Sequence, residues 1–229
     1  MQKHWGRVLT ARKGLDARRT LAFAAITLSL IAAGIGARAD DTSALLSSGD
    51  ASIWKDGVGE GFRAGTQDVG FLAGGTLGLP IFGSKHTHYF GLAFGRLGWI
   101  LTDVVGAGRW YKGNWEFQIN GFGGSQFAPT SRYVAGAGPL LVYDFAAGYR
   151  LVPFVEAGAG GTATDVRDGD LSTSFEFNLQ LGAGLHFFLK PNVALTVESR
   201  FIHFSNAGMK DPNQGVNDSA GLLGLTWFF

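Results

Sequence analysis

The chain has 229 residues, with 19 Lys+Arg against 18 Asp+Glu, 36 glycines and no cysteine. Without cysteine there are no disulfides and no thiolate metal ligands. Seven basic residues but only one acidic residue fall in residues 1–39, leaving twelve basic against seventeen acidic beyond them, and that net charge of −5 argues against nucleic-acid binding.

Residues 1–39 begin with a basic segment (Lys3, Arg7, Arg12, Lys13, Arg18, Arg19) and continue with an apolar run from Leu21 to Gly36, then Ala37-Arg38-Ala39. A positive segment, a short apolar segment and an A-x-A site predict a secretory signal peptide cleaved after Ala39. The apolar run is shorter than the roughly 20 residues that a spanning helix needs. The remaining residues, 40–229, suffice for one domain. Residues 40–58 are mostly polar or small and are expected to be a periplasmic lead-in.

Beyond residue 39 no stretch is apolar enough to span as a helix. Abundant glycine, 13% aromatics and short apolar runs after an export signal predict an outer-membrane β-barrel over residues 59–229. A weakly patterned first strand is expected at about 59–71, followed by a Gly-rich connection through Pro80 to His86. The second strand, 87–101, is apolar on both parities. In the third, Trp115, Phe117 and Ile119 alternate with Asn114, Glu116, Gln118 and Asn120, the dyad of lipid outside and polar groups inside. Trp99, Trp110, Trp115 and Trp227 are expected in an interfacial aromatic belt.

A fourth strand is expected at about 133–143 and a fifth at 151–163. The segment between Thr164 and Thr173 carries Asp165, Asp168 and Asp170, which resemble an incomplete cation-ligand set and are read as a solvated loop. The sixth strand carries the strongest pattern. Phe175, Phe177, Leu179, Leu181, Ala183, Leu185, Phe187 and Leu189 share one parity, and Glu176, Asn178, Gln180, Gly182, Gly184 and His186 share the other, with Phe188 the exception. Alternation this long exceeds the 5–6 residues typical of strands in soluble sheets. Glu176 and His186 are expected in a polar network inside the barrel.

After the turn at Lys190-Pro191-Asn192, the seventh strand puts Val193, Leu195, Val197, Ser199, Phe201, His203 and Ser205 on the lipid-facing side. The eighth, about 219–229, ends on Phe229. The sum is an all-β, eight-stranded antiparallel transmembrane barrel with both termini in the periplasm and no room for a wide channel.

His203 and Ser205 stand side by side at the outer end of the lipid-facing row, where an imidazole next to a hydroxyl is the minimum for an activated nucleophile. The segment His203-Phe204-Ser205-Asn206-Ala207-Gly208, followed by Lys210, Pro212, Asn213 and Gly215, resembles the signature of the outer-membrane lipid A 3-O-deacylase (PagL) family. More loosely, the likeness extends over the last eighty or so residues, including Pro153 to Gly158. The resemblance implies a serine carboxylic-ester hydrolase that removes the 3-O-linked acyl chain of lipid A. It makes Ser205 the nucleophile, His203 the general base, and Asn206 with the N–H of Gly208 the oxyanion hole. No cofactor or metal is implied; the partners are lipopolysaccharide and the outer membrane, with a homodimer left open.

The sequence departs from the family pattern at one position. A Glu that orients the His is expected fourteen residues after it, where this chain has Asn217. Asn217 shares the lipid-facing parity of the eighth strand, so antiparallel pairing brings it beside His203 or Ser205, whereas Asp218 and Glu198 point to the opposite face. An Asn orients an imidazole through its amide oxygen, as in Cys-His-Asn proteases. The alternative to an esterase is a non-catalytic small barrel with a structural or adhesin-like role.

Overall fold

The computed structural model describes residues 63–146 and 150–229. The proposed signal peptide at 1–39, the lead-in at 40–58 and the first residues of the expected barrel lie outside the described residues. Eight strands form one closed antiparallel barrel in sequence order: β1 (Gln67–Gly78), β2 (Tyr89–Ile100), β3 (Gly113–Ala128), β4 (Arg132–Phe145), β5 (Leu151–Thr164), β6 (Phe175–Lys190), β7 (Val193–Ser205) and β8 (Val216–Phe228). Closure is made by β1 against β8, in register from Asp68 opposite Phe228 to Gly78 opposite Asp218. No sheet edge is left open, so every strand backbone finds a partner within the bilayer.

The first strand begins later than the sequence pattern suggests, and much of the expected Gly-rich connection is strand. Gly70, Gly74 and Gly78 occupy the inward parity of β1, where they give no polar or apolar signal. A Cβ on Gly74 would lie 1.8 Å from the carbonyl oxygen of Gly221, so the β1–β8 seam requires glycine there. Similarly, β8 starts at Val216, three residues earlier than expected.

On the outside, Phe71, Leu97, Ile119, Leu141, Phe177, Leu179, Leu181 and Leu223 are exposed, the apolar band that lipid covers. The interior is layered rather than uniformly polar. At the end carrying the tight Pro191-Asn192 turn, Ile100, Val152, Phe188, Ala194 and Phe228 form an apolar plug. Phe188, the exception to the β6 alternation, belongs to it. Near it, His186 bonds Thr196 at 2.8 Å, and Thr196 bonds Thr226 at 2.8 Å.

The middle layer is ionic. Arg200 donates to Glu156 at 2.7 Å and to Glu198 at 2.5 Å, and Arg96 donates to Glu198 at 3.0 Å. Arg200 also donates to Gln180 at 2.7 Å, and its guanidinium lies 4.8 Å from the centre of the Phe94 ring. Toward the other end Phe90, Phe94, Phe122, Ile202 and Phe204 close a second apolar plug together with Leu72, Val166, Leu171 and Leu222. The second strand is apolar on both parities because its inner row, Phe90, Leu92 and Phe94, builds this plug while its outer row meets lipid.

Taking the side with both barrel termini and the two-residue Pro191-Asn192 turn as periplasmic, the connections 79–88, 129–131, 165–174 and 206–215 lie on the outer side. The exposed Trp110 and Trp115 and the partly exposed Trp99 and Trp227 all sit at the periplasmic end, where aromatic side chains anchor a barrel at the interface. Glu198 is the acceptor shared by both buried arginines. Glu198→Ala is expected to destabilise the barrel by about 3–5 kcal/mol, because it breaks a buried ion-pair network and leaves Arg96 with Glu156 only at 3.9 Å. Urea-induced unfolding in lipid vesicles measures this.

Candidate active site

The register of β7 and β8 places His203 directly opposite Asn217. The side-chain period of two then puts Ser205 beside His203, one position pair nearer the outer loops. His203 Nδ1 and Asn217 Oδ1 are 2.7 Å apart. A primary amide presents an oxygen on one side and an NH2 on the other, so its orientation decides the state of the imidazole. Asn217 Nδ2 donates to the carbonyl oxygen of Ile81 at 2.8 Å, and a carbonyl only accepts. The oxygen of Asn217 therefore faces His203, Nδ1 carries the proton, and Nε2 is left as the basic nitrogen. That is the tautomer a general base toward Ser205 needs. In this structure no hydrogen bond joins Ser205 to His203; the two share one face as neighbours in the strand.

Asp218 and Glu198 stay out of this group, as their parity predicts. Asp218 accepts from Thr76 Oγ1 at 2.7 Å inside the barrel, and Glu198 belongs to the arginine network.

Asn206 and Gly208, the oxyanion candidates, build the loop that follows the serine. The Gly208 N–H donates to Asn206 Oδ1 at 3.0 Å, an Asx-turn. Asn206 Nδ2 donates to Ser172 Oγ at 3.1 Å and to the Lys210 carbonyl at 2.8 Å, and the Asn206 N–H donates to Asn213 Oδ1 at 3.0 Å. Both candidate donors are thus engaged within the loop, and Asn206 is fully buried. Ala207 between them adopts φ 55° and Gly208 φ 79°, so the chain turns sharply just after Ser205.

Around Ser205 the surface is apolar. Phe177 lies opposite Ser205 and Leu179 opposite His203 on β6, both exposed on the lipid side. Phe82, from the 79–88 loop, packs edge-on against Phe201 with ring centres 6.4 Å apart. A site bounded by these groups suits an acyl chain entering from the membrane.

The three loop carboxylates do not converge, contrary to a shared cation site, and they are not all solvated. Asp165 accepts from the Tyr133 N–H at 2.7 Å, and Asp168 accepts from Gln126 Nε2 at 2.7 Å and Thr130 Oγ1 at 3.0 Å. Asp170 is fully buried. Burial by itself raises its carboxyl pKa, but the hydrogen bonds from His88 and from the N–H groups of Lys85 and His86 outweigh it and hold the group below its usual range. Among the described residues no group of three or more His, Asp or Glu side chains is arranged to hold a metal ion.

The family profile described as lipid A 3-O-deacylase (PagL) matches residues 74–226. The chain belongs to the PagL family. A Pseudomonas aeruginosa protein named lipid A deacylase PagL is 39% identical over 119 residues, covering 51% of this chain and 60% of that protein. A Bordetella bronchiseptica protein of the same name is 33% identical over 134 residues, covering 57% and 64%. The matched stretch thus spans just under two thirds of each of these relatives. The crystal structure of the outer membrane enzyme PagL superposes with a TM-score of 0.51 at 27% identity, covering 69% of this chain and 97% of that one. Neisserial surface protein A, at 18% identity and a TM-score of 0.55, shares the fold. This PagL-family barrel resides in the outer membrane, which fixes the apolar band as lipid-facing.

Sequence reasoning missed the carbonyl of Ile81, because a backbone acceptor leaves no signature in side-chain identity. It also missed the role of Gly215. With φ 76°, this residue packs so closely that a Cβ would lie 2.8 Å from His203 Cε1. Gly215→Ala is expected to displace the His203 ring while leaving the barrel folded. The His203 ring signals in NMR spectra should shift, and unchanged signals would show that the contact does not hold the ring.

Proposed function

We propose that the protein is a serine esterase of the outer membrane that removes the 3-O-linked acyl chain from lipid A. The observation that carries this reading is the His203–Asn217 contact at 2.7 Å, with Asn217 oriented by Ile81, beside Ser205 on the lipid face. Family membership supports the substrate class. The family profile, described as lipid A 3-O-deacylase, matches a segment that contains all three residues.

In the proposed reaction His203 Nε2 takes the proton of the Ser205 hydroxyl as Oγ attacks the ester carbonyl. The tetrahedral intermediate collapses with release of the 3-hydroxyl of lipid A, which recovers the proton from His203. Water then hydrolyses the acyl-serine with the same base, releasing a free fatty acid. Asn217 holds the imidazole in the productive tautomer throughout. It supplies an amide dipole where a Glu would supply a full charge, so the imidazolium is stabilised less.

The Asn206 amide and the Gly208 N–H keep their proposed part as donors to the oxyanion, each expected to contribute ~3 kcal/mol. To act, they have to exchange their loop hydrogen bonds for the substrate oxygen. No metal or cofactor takes part in the proposed reaction.

Mass spectrometry of lipid A from cells expressing the protein is the direct test. The wild type should remove one 3-hydroxyacyl chain and Ser205→Ala should leave lipid A intact; removal that persists in Ser205→Ala would refute the assignment. With purified protein, Asn217→Ala should lower kcat by roughly 10²–10⁴-fold with little change in KM, as expected when the base loses its orienting partner.

A further inference from the structure

His203 is held from two sides, and both supports lead back to one buried residue, through its side chain on one side and its main-chain carbonyl on the other, that takes no part in the proposed chemistry. On one side the Ile81 carbonyl orients Asn217. Ile81 belongs to the 79–88 loop, whose far end is tied to Asp170. The Lys85 N–H donates to Asp170 Oδ1 at 3.0 Å and the His86 N–H to Oδ2 at 3.0 Å. On the other side Gly215 abuts the His203 ring. The carbonyl of Asp170 accepts from the N–H groups of Gln214 at 2.9 Å and Gly215 at 3.3 Å. One residue of the 165–174 loop therefore fixes both neighbours of the catalytic imidazole.

Asp170 is itself held by a buried histidine. His88 Nε2 lies 3.0 Å from Asp170 Oδ2, and His88 Nδ1 lies 2.8 Å from Gln126 Oε1. The orientation of Gln126 is not free, because its Nε2 donates to the Thr130 carbonyl at 2.9 Å and to Asp168 at 2.7 Å. Its oxygen must face His88. Both ring nitrogens of His88 consequently meet oxygen atoms, so the ring is held between Asp170 and Gln126. The groups facing His88 and Asp170 are Asp168, through Gln126 on β3, His86 at 3.3 Å from Asp170 Oδ2, and the Phe90 ring, stacked 6.5 Å from His88. His88 and Asp170 are both buried, so neither reaches substrate.

We propose that Asp170, locked by His88, is a positioning residue for the His203–Asn217 pair. It acts from within the loop layer, through the Ile81 segment on one side and Gly215 on the other. This proposal rests on the deacylase reading for its kinetic test but not for its structural one.

The experiment compares purified full-length wild type, Asp170→Asn, His88→Gln and the double variant, with Ser205→Ala as the inactive control, on lipopolysaccharide in mixed micelles. An Asn at 170 presents an NH2 toward one of the N–H donors, and a Gln at 88 cannot bridge the two oxygens at the imidazole spacing. Each single variant is expected to lower kcat roughly 10- to 100-fold by misplacing the base, with KM changed less than about twofold. The double variant should be no worse than the worse single, because the two residues act as one unit. Heat-modified gel mobility should report a folded barrel throughout. Unchanged kcat, multiplicative losses in the double variant, or an effect confined to KM would each overturn the proposal. If the wild type is as inactive as Ser205→Ala, the deacylase reading fails instead. The His203 ring signals then decide the present proposal, since they must shift in Asp170→Asn and His88→Gln, and unshifted signals would reject it.

Discussion

The constraint on which this structure depends is that a closed barrel in lipid gives each strand residue only two places to point. Once β7 directs Val193, Leu195 and Val197 at the membrane, the two-residue period carries His203 and Ser205 to the same face. Closure and register then place Asn217 of β8 directly opposite His203. The proposed site is an extension of the lipid-facing row, which would let a hydrophobic substrate reach it laterally without entering the lumen. The lumen in turn is filled by two apolar plugs and an arginine–glutamate layer, which make the wall rigid enough to hold a cross-strand pair in place.

The Asn that stands at position 217, where the family resemblance implies a carboxylate, has a compensating feature in the fold. Where an acid-to-amide change costs ~10⁴ in a serine protease, the cause is the wrong imidazole tautomer. Here the Ile81 carbonyl takes the amide NH2, and the oxygen alone faces the ring. The tautomer is therefore retained, and what is lost is the charge that would stabilise the imidazolium. Charged and neutral hydrogen-bond acceptors differ by about 1 kcal/mol or somewhat more in such settings, far less than the tautomer penalty.

Much of this was legible in the sequence, for physical reasons. The alternation of β6 and the end points of β7 follow from side chains that must be apolar outside and polar inside. Parity places Asn217 on the row of His203 and Ser205, and the β7–β8 register pairs it with His203. The start of β1 was not legible, because Gly70, Gly74 and Gly78 show no polarity on the inward row. The layered lumen was hidden in β2, where an apolar inner row reads like a second lipid face. The burial of Asp170 comes from residues more than eighty positions away in the chain, so no local pattern distinguishes it from a solvated loop aspartate. Asn206 and Gly208 carry the family motif, and their loop hydrogen bonds show why those residue types are needed even before any substrate is bound.

The central claim is that an amide, held in one orientation by a backbone carbonyl, sets the base. Nitrogen-15 NMR of the His203 ring near neutral pH tests it most directly. The account predicts a neutral ring protonated at Nδ1 with Nε2 bare, and loss of that preference in Asn217→Leu. A ring protonated chiefly at Nε2 in the wild type would contradict it.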